Sequence, residues 1–274
     1  MTYKMVVLDL DDTLLQDDLT ISSRTKEALF AAQEAGVKVV LASGRPDFAM
    51  HPIAEELRLK DFGSFIITFN GAKIIDCKTN KEIFSSMLTP ETAHRLYDIS
   101  QREGILIQSY LGDEIITETP NRFTNIEGEI TGMKIKLVDS FKEAINESVV
   151  KALMLAEPER LAEVEKKLQK ELDGEISTMR SKPFFLEFTN LGVTKATSVE
   201  HLIKKLGIKR EEVIAMGDSY NDLAMIEFAG LGVAMGNAPD DIKAKADFVT
   251  DTNMNDGVAK IVENFILNKI IFNN

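Results

Sequence analysis

Three carboxylates, Asp9, Asp11 and Asp12, stand within four residues, directly after the unbroken apolar run Met5 to Leu8 and before Leu14 and Leu15. Such a run reads as a strand buried on both faces, and charge at its end is costly unless something compensates it. Asp9 and Asp11 are two residues apart. In an extended chain they point to the same side and bring their carboxylates to one spot. A pair of that kind calls for a cation, a proton, or both. Three further stretches carry complementary groups: "SGR" at 43–45, "TK" at 194–195 and "GDSYNDLAM" at 217–225. They add a hydroxyl beside a glycine amide, the cation Lys195, and a second acidic pair, Asp218 and Asp222, four residues apart at a helix start. Phosphoryl transfer needs this kit of nucleophile, proton shuttle, divalent metal and donors around three equatorial oxygens. An aspartate can be the nucleophile through an aspartyl-phosphate, provided that its repulsion from the phosphate is cancelled. That work falls to Mg2+ and Lys195. Magnesium prefers oxygen ligands and keeps several waters, so Asp9 and Asp218 with one main-chain carbonyl suffice.

These residues need elements to position them. The stretch "ISSRTKEALFAAQEAG" has helical spacing, starts near Ser22 or Ser23 and stops at Gly36. "VKVVLASGR" is a second buried strand, a helix follows from about Pro46 to Leu57, and "SFIITFNG" is a third apolar run. Strand and helix alternate as in a parallel α/β sheet, and the rhythm returns with "EEVIAMGD", "LGVAMG", "ADFVT" and a last helix through "DGVAKIVENFIL". Between these halves, residues 84–188 have the mixed texture of an α+β module, with a loop-like acidic region containing several glycines at its centre. In open parallel sheets ligands bind beyond the carboxyl ends of the strands. Those ends read Asp9 to Thr13, Ser43 to Arg45, Asn70 with Gly71, and Gly217 to Asp222.

Composition bounds the function. Lys and Arg number 32 against 44 Asp and Glu, a net charge of −12, so binding to nucleic acid or an anionic membrane is disfavoured. The single cysteine, Cys77, excludes an intrachain disulfide, and the three histidines are scattered, so no zinc site is expected. Neither a signal peptide nor a membrane span is visible, and a reducing cytoplasm fits best. "GLGVAMG" has the wrong spacing for a dinucleotide fingerprint. Phe184, Phe185 and Phe188 read as core, and "EPERLAEVEKKLQKEL" as a helix with a solvated face.

With "DLDDTLL", "SGR", "ITFNGA", "LEFTNLGVTKA", "GDSYNDLAM" and "GVAMGNA" in this order, the chain resembles the haloacid dehalogenase superfamily. More narrowly it is similar to the Cof-type (IIB) phosphatases, among them bacterial sugar-phosphate phosphatases. The resemblance implies a Rossmann-like three-layer parallel-sheet core, 1–83 with 189–274, and an α+β cap at 84–188 that closes over the site and sets specificity. It implies that Asp9 attacks phosphorus, while Asp11 protonates the leaving oxygen and then activates water. Asp9, Asp218 and the Asp11 carbonyl would hold Mg2+, with Asp222 supporting that shell. Ser43 and Gly44 would bind the phosphoryl group, Lys195 would neutralise it, Asn221 would sit at the rim, and Arg45 and Asn70 would meet the substrate. The expected substrate is a small phosphorylated metabolite, a sugar phosphate first. A phosphomutase and a phosphoaspartate receiver module are the alternatives. Two positions depart from the family pattern, where glycine usually stands at Asp12 and at Ala196. Aspartate tolerates unusual backbone angles better than most residues, so Asp12 reads as a turn residue and not as a third catalytic acid.

Overall fold

The apolar run before Asp9 is strand β1 (Met5–Leu8), and all of it is buried. It belongs to an eight-stranded sheet with β2 (Lys38–Ala42), β3 (Phe65–Thr68), β4 (Lys73–Asp76), β5 (Lys81–Ser85), β6 (Val213–Gly217), β7 (Leu231–Ala234) and β8 (Phe248–Val249). The computed structural model describes residues 2–268, which fall into two units. Residues through Phe84 join those from Thr194 onward, and Ser85–Val193 form the second. The insertion ends later than 188 because Phe185–Asn190 is a strand paired with Ala152–Leu155 of the same unit.

In the first unit the strand order is β8-β7-β6-β1-β2-β3-β4-β5. Every pairing from β8 to β3 is parallel, while β4 runs antiparallel to β3, so the sheet is mixed at this edge. Along β1 the side chains alternate between two cores. Val6 and Leu8 pack with Leu29 of the helix Ser23–Glu34 and Met50 of the helix Asp47–Glu56. Met5 and Val7 pack with Val199 and Leu202 of the helix Lys195–Leu206. A strand covered on both faces explains why the sequence shows no polar alternation there. The chain leaves β1 toward β2 on one side and returns at β6 on the other, which makes the carboxyl ends of β1 and β6 the topological switch point.

The second unit is a six-stranded sheet, antiparallel except where Glu114–Thr117 and Lys134–Leu137 run parallel. One face packs on the helices Pro90–Glu103 and Pro158–Glu171 through Leu96, Ile99, Leu161 and Leu168. Phe185 and Phe188 are buried, and Phe184 stacks on Phe123. The central region read as loop-like contains a helix, Arg122–Thr131, capped by the Asn121 side chain and closed by Gly132 in the left-handed conformation. Its apolar periodicity is interrupted because Glu127 is one of its buried residues, its carboxylate accepting from the Tyr110 hydroxyl at 2.7 Å. No helix among the described residues is long and apolar enough to cross a membrane.

Lys151 compensates this buried acid, with its ammonium 3.1 Å from Glu187 and 3.9 Å from Glu127. Burial pushes the Glu127 carboxyl above its ordinary value, against the pull of Lys151. Replacing Lys151 by Met therefore strands two acids and is expected to destabilise the protein by about 3–5 kcal/mol. A carboxyl whose folded pKa is raised loses stability as pH rises from its unfolded value through its folded value. The deficit of Lys151→Met should thus be larger at pH 8 than at pH 5 in urea melts, and a pH-independent deficit would contradict this account.

Candidate active site

The Asp9 amide donates to the Met216 carbonyl at 3.0 Å, which carries the β1–β6 ladder one residue past β1 and fixes Asp9 at the switch point. Only 6% of Asp9 is exposed. The chain then turns through Leu10–Leu14, closed by the Leu15 amide on the Leu10 carbonyl at 2.8 Å. Within the turn Asp11 is extended and Asp12 is left-handed, with φ 58° and ψ 8°. Asp12 is thus the turn residue that its sequence context suggests.

Lys195 opens the helix Lys195–Leu206, whose first turn is fixed by reciprocal bonds between Thr194 and Thr197. It is fully buried. Its ammonium donates to Asp9 Oδ1 and, at 2.6 Å, to Asp222 Oδ1. The other Asp222 oxygen accepts the amides of Asp218 and Ser219 at 3.1 and 3.0 Å. This close approach needs Gly217, because a Cβ there would lie 2.4 Å from the Asp222 Cβ. The Thr13 hydroxyl donates to Asp218 Oδ1 at 2.9 Å, tying the turn after Asp9 to the loop after β6.

One oxygen from each of Asp9, Asp218 and Asp222 lies within 4.8 Å of the others. Among the described residues one ammonium, that of Lys195, pairs with this group, and it bonds Asp9 and Asp222. The imbalance shows in the protonation of Asp9 and Asp218. Burial, reinforced by Asp222, raises the Asp9 carboxyl well above the ordinary range despite Lys195. Burial and then Asp222 push the Asp218 carboxyl up to about 6. Burial works against the Lys195 charge, but Asp222 and Asp9 outweigh it and raise its pKa. A buried, oxygen-only donor set with surplus negative charge fits a hard divalent cation. The Asp11 carboxylate lies apart from this group, half exposed and gripped by the Arg45 guanidinium through Nη2 and, at 2.9 Å, Nε.

On the strand next to β1, Ser43 directly follows the end of β2. Its amide donates to Ile67 and its carbonyl accepts from the Asn70 amide, both at 2.9 Å, which locks the two strand-end loops together. The Ser43 hydroxyl oxygen accepts the Arg45 amide at 3.1 Å and keeps its own proton to donate. Asn70 is left-handed, with φ 55°. Gly71 has φ 108°, and a Cβ on it would stand 2.2 Å from the Thr194 carbonyl oxygen. The loop therefore rests directly on the start of the lysine helix. Asn221 donates to Asn70 Oδ1 at 3.0 Å, and Gly44 packs against the same amide. Two bonded sets result: Asp9, Lys195, Asp222 and Asp218 in one, and Ser43, Asn70 and Asn221 with Gly44 packed on them in the other, while Asp11 and Arg45 form a pair of their own.

Residues 6–262 match the family model of the haloacid dehalogenase-like hydrolases. The chain belongs to this family. A solved haloacid dehalogenase-like hydrolase from Bacteroides thetaiotaomicron superposes with a TM-score of 0.87 at 42% identity, covering 96% of this chain and 99% of that one. A subclass IIB sugar phosphatase, BT4131, superposes with a TM-score of 0.78 at 30% identity, covering 96% and 98%. The 5-amino-6-(5-phospho-D-ribitylamino)uracil phosphatase YcsE of Bacillus subtilis is 34% identical, with 96% of each chain covered. The core of the chain is accordingly that of a haloacid dehalogenase-like hydrolase, and the two of these relatives named for an activity are phosphatases. Two residues of the candidate site, Thr13 and Gly217, carry no role that their types alone would suggest. Both lie inside quoted motifs, but only the fold shows that one bonds Asp218 and the other makes room for Asp222.

Proposed function

We propose that this chain is a Mg2+-dependent phosphomonoester hydrolase that works through an aspartyl-phosphate. The observation that carries the reading is the buried Lys195 bridging Asp9 and Asp222, with Asp218 beside them and the Ser43 hydroxyl on the adjacent strand end. Asp9 Oδ forms the bond to phosphorus as the ester oxygen leaves, and Asp11 gives that oxygen its proton. Asp11 then takes a proton from the water that attacks the phosphoenzyme, which releases inorganic phosphate and restores Asp9. Ser43 and the Gly44 amide donate to the phosphoryl oxygens, and Lys195 offsets their charge. Asp9, Asp218 and the Asp11 carbonyl would hold the cation, which supplies Lewis-acid stabilisation of the transferring group. Asp222, with both oxygens engaged, supports these residues. An incoming anionic ester competes for Arg45 and frees Asp11 for the leaving oxygen.

For the substrate, the relatives named as sugar phosphatase and as phospho-ribitylamino-uracil phosphatase share one chemistry, a phosphate ester on a hydroxyl-bearing carbon chain. We take sugar and sugar-alcohol phosphates as the class, residues 85–193 as the segment that sets preference within it, and the cytoplasm, where such metabolites occur, as the compartment. The test is phosphate release from phosphosugars, phosphopolyols, nucleoside monophosphates, pyridoxal phosphate and an aryl phosphate, with Mg2+ or EDTA. Magnesium-dependent release, fastest from the phosphosugars and phosphopolyols, is expected. Isomerised product without net release would instead indicate a phosphomutase, and a phosphoenzyme stable for many minutes a signalling module. Asp11→Asn should slow alkyl esters by roughly 10²-fold or more and the aryl ester much less.

A further inference from the structure

Asp12 occupies a backbone conformation that glycine adopts freely and that other residues adopt at a cost. It is also the residue directly after Asp11. Left alone, Asp12 would relax toward negative φ and swing the peptide that carries Asp11. The structure holds it through its carbonyl oxygen, which accepts from Asn237 Nδ2 at 2.7 Å. The Asn237 Oδ1 in turn accepts the Asn253 amide at 3.1 Å. Asn253, only 8% exposed, uses its Nδ2 on the Leu15 carbonyl at 3.0 Å and on Asp17 Oδ1 at 3.3 Å. Two asparagines from beyond β7 therefore grip both ends of the segment 12–15. Asn237 lies just past β7, which is paired to β6 in register Ala215↔Gly232 and Met216↔Val233, so it is referenced to the strand that positions Asp218. Gly236 allows this, because a Cβ there would meet the Thr252 amide at 2.9 Å and force the two asparagine loops apart.

We propose that Asn237, backed by Asn253, is a positioning residue that holds the strained Asp12 peptide and thereby keeps Asp11 aimed at the leaving oxygen. Asn237 acts through the backbone and touches no reacting atom. The residue it holds is an aspartate in the left-handed region, so the clamp's importance in this chain depends on what stands at residue 12.

The inference rests on Asp11 as the general acid, and the experiment separates the two claims. Turnover of an alkyl phosphate and of an aryl phosphate is measured for the full chain, for Asp11→Asn, Asn237→Ala and Asp12→Gly, and for Asn237→Ala combined with Asp12→Gly. Asn237→Ala should lose about tenfold or more on the alkyl ester and much less on the aryl ester, the pattern of an impaired acid. Glycine at 12 removes the strain, so the double variant should recover most of that loss, whereas Asp12→Gly alone should stay within about twofold of the parent. Should Asn237→Ala fail to fold, Asn237→Asp, which keeps the acceptor for the Asn253 amide but replaces the donor by a charged oxygen, serves in its place. Equal losses on both esters, or no recovery with Asp12→Gly, would overturn the clamp while Asp11→Asn still showed the acid pattern. If Asp11→Asn itself treated both esters alike, the catalytic reading would fall, and the clamp with it.

Discussion

Asp9→Asn is expected to abolish turnover, with a loss on the order of 10⁴-fold or more, and at the same time to raise the melting temperature of the metal-free protein. The two effects have one cause. Asp9 is buried beside Asp222 and Asp218, and its carboxyl is raised well above the ordinary range by burial first and Asp222 next. An acid with a raised folded pKa binds more protons folded than unfolded, so stability falls as pH climbs from the unfolded value through the folded one. The ionised Asp9 carboxylate is thus held against its preference, and an amide of the same shape removes that cost. Lys195 keeps a partner, because its 2.6 Å bond to Asp222 is independent of Asp9. The stability gain should be clear at pH 8 in EDTA and shrink toward pH 4. With Mg2+ present it should also shrink, since the variant loses a ligand and gains less from the cation. Calorimetry across pH, run beside phosphate-release assays, reads both halves. Activity within tenfold of the parent would refute Asp9 as nucleophile.

What the sequence revealed of this site follows from where its groups sit on the chain. Asp9, Ser43 and Asp218 each come at the end of a run too apolar to be anything but a buried strand, where a charged or hydroxyl group is costly unless a ligand or partner meets it. Lys195 was legible only in company, since a lysine at a helix start is usually solvated. Pairing between residues distant in sequence was not legible. The grip of Arg45 on Asp11 and the bond from Asn237 to Asp12 join positions whose separation carries no period. The helix Arg122–Thr131 stayed hidden for a related reason. A glutamate at one of its buried positions hides the apolar stripe, and only Tyr110 on the strand Leu106–Leu111 and Lys151 just before the strand Ala152–Leu155 explain why Glu127 is tolerated. At the sheet edge, the antiparallel turn from β3 into β4 depends on Asn70 and Gly71 at positive φ, and the sequence marks these two only as the end of an apolar run.

Lys195→Met should remove activity and destabilise the fold by about 3–5 kcal/mol, the cost of leaving buried charge without its partner. The side chain is fully enclosed, and its loss leaves Asp9 and Asp222 facing each other with Asp218 close by. In the parent, the raised Lys195 pKa means that its contribution is fully present below the unfolded value of about 10.4 and declines only at more alkaline pH. Across the neutral range the parent should therefore show little pH dependence from this group. The variant should become more stable as pH falls, because protonation of the stranded carboxyls is then the remaining way to relieve their repulsion. A divalent cation is the other, so Mg2+ should raise the melting temperature of Lys195→Met more than that of the parent, without restoring turnover. Lys195→Arg sharpens the test, since it keeps the charge but must fit a planar guanidinium into a space that a single ammonium fills. It should recover part of the stability and little of the activity. A Lys195→Met protein as stable as the parent, or one that responds to Mg2+ no more strongly, would show that the three carboxylates do not form the charge-deficient site on which this mechanism depends.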